Sequence, residues 1–96
     1  MTDADPAGPY TLRVAAPAAR VIEGKLPEVV AAAVIELITG PLLDNPHRVG
    51  RELKRELEGL HSARRGTFRI LYIIDDTRRV VAVVRVEHRA RVYRVL

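Results

Sequence analysis

The side chains best suited to chemistry in this chain are arginines, and they crowd into its second half. Arg64, Arg65, Arg69, Arg85, Arg89, Arg91 and Arg94 lie there, with His88 and Tyr93 among them. A guanidinium presents a planar fork of donors that matches a phosphate, whereas an ammonium is only a point charge. Fourteen of the sixteen basic residues are arginine. A GC-rich genome is the bland source of the same bias, so position has to decide between them. Residues 1–45 carry three basic and six acidic side chains, and residues 46–96 carry thirteen and six, which together make the net +4. An anionic partner for the second half is the physical expectation.

Arg69 stands out because it interrupts the apolar run FRILYII, where arginine is rare unless it is paired or used. An ion pair with Glu58 or Glu87, or a side chain snorkelled to water, is the structural alternative. Arg64 and Arg65 precede Gly66 at a strand end, a place for function or for a solvated turn. Tyr93 suits either a site or the rim of a core. Other chemistries find no residues. Cysteine is absent, so there is no thiol nucleophile, disulfide or cysteine metal site. His47, His61 and His88 are scattered, with no histidine partner at ligand spacing, so neither metal nor cofactor is expected. There is no Gly-rich phosphate loop, HExxH or GxSxG. Asp75-Asp76 reads as a solvated turn.

These residues need a scaffold, and 96 residues suffice for one domain, with 1–9 as a disordered Pro/Gly lead-in and 10–96 as the folded unit. Tyr10 to Ala15 reads as a strand. Pro17 starts a helix over Ala18 to Lys25 with Val21 and Ile22 inward, and Pro27 starts a second. There Val30, Val34, Leu37 and Ile38 form one stripe, which Gly40-Pro41 ends. Asp44-Asn45-Pro46 reads as a turn, and PHRVGRELKRE as a basic loop or frayed helical turn. Strands follow at Leu57 to Arg64, Phe68 to Ile74 and Val80 to Val86, with a short last one near Val92 to Val95. A three-residue loop, Asp76 to Arg78, pairs Ile74 with Val80 and Arg69 with Arg85, and puts both arginines on one face. The class is α+β: a small antiparallel sheet with two N-terminal helices packed on one face. Both faces of the hairpin are largely apolar, so the second needs a cover.

The run LEGLHSARRGTFRILY, residues 57–72, resembles the central signature of the RelE/ParE superfamily of type II toxin–antitoxin toxins, and IIDDTRRVVAVVRVEHRARVY resembles the remainder. GPLLDNPHRVGRELKREL is similar to the helix exit and loop of the actinobacterial and mycobacterial RelE branch. The resemblance implies the RelE-like fold and ribosome-dependent cleavage of messenger RNA, silenced by a wrapping antitoxin. By position, Arg69 corresponds to the arginine at the scissile phosphate, Arg89 to the arginine after the last long strand, and Tyr93 to the C-terminal catalytic tyrosine. Arg64 matches a further basic residue. Leu60 and Ser62 stand where the family prototype has two lysines, and the Arg89-to-Tyr93 spacing is shorter by two.

RNA cleavage of this kind uses the substrate's own 2′-hydroxyl, and guanidiniums stabilise the charge that develops on the phosphoryl oxygens. Arg69 and Arg89 are assigned that work. Tyr93 and His88 are the candidates for proton transfer, with His61 and Lys54 behind them. RNA contacts are expected from Arg64, Arg65, Lys54, Arg85, Arg91 and Phe68, with Phe68 or Tyr93 stacking a base. Leu71, Val81 and Val83 are expected on the face that an acidic antitoxin segment covers. Implied partners are the antitoxin, in a heteromer, and the ribosome with its message. A cytoplasmic location is expected, since no stretch reaches the ~18 apolar residues of a membrane span and the N-terminus lacks signal-peptide character. A ParE-like inhibitor of DNA gyrase and a non-catalytic antitoxin-binding module are the rival readings.

Overall fold

The structure is a computed structural model that describes residues 9–53 and 59–88. The expected last strand near Val92, the lead-in before Pro9, and Lys54, Glu58, Arg89, Arg91 and Tyr93 lie outside those residues. Strand β1 (Thr11–Val14) leads into helix α1 (Ala16–Gly24) and helix α2 (Glu28–Thr39). Two single helical turns follow, α3 (Pro41–Asp44) and α4 (Pro46–Val49), and then β2 (Arg51–Glu52), β3 (Leu60–Arg65), β4 (Phe68–Asp75) and β5 (Val80–His88). The strands form one sheet in the order β1-β5-β4-β3-β2, antiparallel except where β1 runs parallel to β5. No helix among the described residues is long and apolar enough to cross a membrane.

Proline placement explains the helices. Pro17 and Pro41 sit in first turns, where a missing N–H costs nothing, and Pro27 caps α2. Val34, Leu37 and Ile38 of α2 are buried as their spacing predicts, with Val30 packed at the margin. Ala18 of α1 lets that helix lie close on the sheet, with Val21 and Ile22 beside the same core. The expected turn at Asp44-Asn45-Pro46 is instead the joint between α3 and α4. Asn45 N–H closes α3 on the Pro41 carbonyl, and the Asn45 carbonyl opens α4.

The β4–β5 register differs from the expected one, and the difference matters. Asp75, not Ile74, pairs with Val80, because Arg79 adds a residue to the connection in left-handed geometry with φ 55°. That geometry costs an L-residue about 1–2 kcal/mol. Two contacts hold it: the Arg79 carbonyl accepts the Thr11 N–H, and the guanidinium lies 4.2 Å over the Tyr10 ring. A second shift opposite Leu71 and Tyr72 leaves Val84 as the extra residue of a bulge. Arg69 therefore faces Glu87, and Leu71 faces Arg85. The expected Arg69–Arg85 pair does not form, which spares the sheet one like-charge opposition, although both arginines still share a face.

The extra residue at Arg79 corrects the expected antitoxin face. Val81 and Val83 are fully buried with Ile70, Tyr72 and Val86 beneath the helices, so they form the protein's own core. Leu71 does lie on the opposite face, half-buried, with Ile73 beside it 45% exposed.

Asp76 is exposed in the hairpin turn, as expected, and is also an anchor. The Tyr10 hydroxyl donates to it at 2.6 Å, and His47 Nε2 lies 2.8 Å from the same oxygen. These bonds, Tyr10's first and then His47's, hold the Asp76 carboxyl below its ordinary value, and the bond to Asp76 raises the Tyr10 phenol. A carboxyl lowered in the folded state stabilises above its unfolded value and loses that contribution as pH falls through the folded one. Asp76→Ala is therefore expected to lower the thermal midpoint at neutral pH, with the gap to the parent closing as pH drops below 3.8. Melting curves across that range check it; a gap independent of pH would contradict the assignment.

Candidate functional site

Alternation and register together place arginines from four strands on the sheet face away from the helices. Arg51 pairs with Ser62, Ser62 with Leu71, and Leu71 with Arg85, making one cross-strand row. In the next row Arg64 stands directly opposite Arg69, with Glu87 beyond. Like charges so opposed destabilise a sheet, and Glu87 on the other side of Arg69 offers an opposite charge. An open cavity of about 570 Å³ lies here, lined by Arg48, Arg51, Arg64 and Arg69 around Gly50 and Ser62. That volume falls in the usual range for a ligand site.

The α4–β2 segment builds the far wall, and buried Tyr72 holds it. The Tyr72 hydroxyl donates to the Pro46 carbonyl at 2.7 Å, and burial pushes the phenol up, partly opposed by the Gly50 backbone. Gly50 lies so close that a Cβ there would overlap the Ser62 carbonyl oxygen and stand 2.6 Å from the Tyr72 hydroxyl. Only glycine permits this approach, which brings Arg48 and Arg51 to the two sides of the contact. Leu53 N–H closes the segment on the Leu60 carbonyl at 2.8 Å.

The structure separates residues that the sequence groups together. Arg64 and Arg69 meet in the cavity. Arg65 faces the helices and stands 3.7 Å from Glu36 of α2. Arg85 shares the Arg69 face but donates to Glu87 at 2.9 Å. Phe68 packs against the core on the helix side, edge-on to the His88 ring at 5.0 Å. Both rings are thus on the face opposite Arg69, so Phe68 is placed for packing rather than for stacking a base over the cavity. His61 stacks on Tyr72 at 5.4 Å, with His47 edge-on at 5.9 Å, and both belong to the core-side cluster near Asp76. Arg48 and Arg51 are absent from the residues singled out by sequence. The density of basic residues in PHRVGRELKRE is their only signal there, and it does not say which side chains turn toward the sheet.

Known proteins show the family and the fold. Residues 10–93 match the family model described as ParE toxin of type II toxin–antitoxin system, parDE. Toxin RelE of Mycobacterium tuberculosis is 49% identical over 86 residues, which are 90% of this chain and 88% of the relative. Toxin RelG of the same organism is 51% identical, over 90% of this chain and 98% of the relative. The crystal structure of the toxin–antitoxin complex RelBE2 from M. tuberculosis matches with a TM-score of 0.79 at 51% identity, over 84% of this chain and 99% of that chain. The isolated E. coli RelE toxin shares the fold at TM-score 0.68 and 18% identity, over 91% and 99% of the two chains.

Gly50→Ala is expected to cost about 1–3 kcal/mol through overpacking against backbone. Gly24→Ala, where a Cβ meets nothing within 4 Å, is the control and should be neutral or slightly stabilising. Urea unfolding of both proteins measures the contrast.

Proposed function

The chain belongs to the RelE/ParE family of type II toxins, and from that premise we propose that it is an endoribonuclease that cuts messenger RNA on the ribosome and is silenced by an antitoxin. The observation that carries the reading is the opposition of Arg64 and Arg69 inside an arginine-lined cavity. In the proposed reaction the 2′-oxygen of the substrate attacks the adjacent phosphorus. The 5′-oxygen leaves with a proton, and a 2′,3′-cyclic phosphate remains. Negative charge grows on the phosphoryl oxygens, and a preplaced guanidinium stabilises it.

Arg69 takes that role because its strand is central and its backbone is held on both sides by β3 and β5. Arg89 and Tyr93 follow β5 in sequence and are proposed to add the second guanidinium and the proton-transfer group. His88 ends β5 on the side of Phe68, so a part for it in proton transfer requires the ring to turn round the strand end. An unshifted tyrosine is a poor base, and a weak intrinsic rate follows. Docking in the ribosome would supply orientation, which is worth several orders of magnitude when reactants are held in line. The reading places the protein in the cytoplasm, where messages are translated.

The family model's ParE description supports a second reading, poisoning of DNA gyrase without phosphoryl transfer. One experiment separates the two. On induction, the nuclease yields new codon-phased ends on translated transcripts, and Arg69→Ala reduces them about 10²–10³-fold with an unchanged circular dichroism spectrum. Gyrase-linked DNA breaks with intact transcripts would instead establish the ParE-like activity.

The antitoxin is proposed to lay an acidic, amphipathic segment over the face that carries Leu71, Ile73 and the arginines. Apolar side chains would cover Ile73, and carboxylates would meet the cavity. Ile73→Asp is then expected to weaken copurification of the co-expressed antitoxin at least tenfold, with little effect on the unfolding midpoint. Undiminished copurification would place the antitoxin elsewhere.

A further inference from the structure

We propose that the α4–β2 wall is a second phosphate clamp, in which Arg48 and Arg51 grip the backbone of single-stranded RNA one nucleotide away from the phosphate held by Arg64 and Arg69. The inference deepens the nuclease reading and rests on it for the substrate class. Three observations support it. The cavity has two basic walls from different parts of the chain, one from β3 and β4 and one from α4 and β2. Arg48, Arg51 and Arg64 have no carboxylate within ion-pair distance among the described residues, whereas Arg65 and Arg85, outside this cavity, each have one. Exposed guanidiniums gathered on one cavity repel one another, and a polyanion that threads between them relieves that repulsion.

The third observation is rigidity. The Tyr72–Pro46 bond, the close approach of Gly50 to Ser62, the Arg51–Ser62 pairing and the Leu53–Leu60 hydrogen bond all fix this wall to the sheet. A surface loop whose charge served only solubility would not need four attachments. A fixed pair of arginines facing a second fixed pair selects a strand that can present successive phosphates into a cleft. Single-stranded RNA does this more readily than a duplex, whose backbone is held in a stiff helix. The wall acts on binding and strand placement, not on the reacting oxygens.

The test measures binding of the full-length protein to a fluorescent single-stranded RNA dodecamer as a function of salt, beside a duplex of the same sequence. Removing one arginine–phosphate interaction should flatten the log–log salt slope by about 0.7. Arg48→Ala/Arg51→Ala is expected to flatten it by about 1.4, and Arg48→Lys/Arg51→Lys to keep most of the slope. The charge-matched control Arg20→Ala/Arg78→Ala, on α1 and the hairpin connection, should leave the slope unchanged. In ribosome cleavage assays the first double variant should raise KM about tenfold or more and leave kcat within a few-fold. An unchanged slope, or an equal change in the control, would overturn the clamp even if cleavage is robust. Equal binding and equal weakening on the duplex would assign the wall to helical RNA and also overturn it. A flattened slope in a protein that cuts no message would uphold the clamp and remove the nuclease reading instead.

Discussion

The hydrogen bond from the Tyr72 hydroxyl to the Pro46 carbonyl ties together most of what is distinctive in this molecule. Tyr72 is fully buried in the central strand β4, so its ring belongs to the core while its oxygen reaches the segment that leaves the helices. A buried phenol must find a partner, and a carbonyl at the start of a one-turn helix must find a donor. Each meets the other's need. The consequence is positional: α4 is pressed to the sheet, Gly50 is forced against Ser62, and Arg48 and Arg51 become a wall instead of a fringe. His61, stacked on the same ring, and His47, bonded to Asp76, extend the tie to the hairpin connection.

Against that tie stands electrostatic cost. Arg64 opposite Arg69, with Arg48 and Arg51 across an open cavity, concentrates positive charge on one face of the sheet, where Arg48, Arg51 and Arg64 are exposed to solvent. Hydrophobic burial on the other side of the sheet offsets this. Ile70, Val81, Val83 and Val86 are nearly or completely removed from water, and each such side chain contributes about 1.5–3 kcal/mol. The two faces thus divide the labour: one supplies stability, and the other gathers positive charge, with Glu87 opposite Arg69 at its margin. A toxin held in check by an acidic partner and released onto RNA would use the same positive charge twice. Antitoxin and substrate would then compete for one charge cluster.

Much of this was legible from residue types and spacing. The proline-marked helices, the Val34–Leu37–Ile38 stripe, the β4–β5 hairpin and the placement of Arg69 in an apolar strand all follow from local rules, because each depends on neighbours within a few positions. The uneven charge along the chain pointed to an anionic partner, and the run from residue 57 to 72 resembled the family that the relatives then established.

What local rules did not reach is which face a residue occupies after a bulge. One left-handed residue at Arg79 moved Val81 and Val83 from the expected outer face into the core, and the extra residue at Val84 returned Arg85 to its expected face. Side chains alternate with period two, so a single inserted residue reverses every assignment beyond it, and no composition signal marks the insertion. Likewise Arg65 and Phe68 were separated from Arg64 and Arg69 by parity alone. Arg48 and Arg51 entered the site through contacts between segments distant in sequence. The residue types determined that arginines would be available to line a site. Only the packing of α4 on Tyr72 and the register of β5 decided which arginines, since those are long-range choices made by burial and not by sequence neighbours.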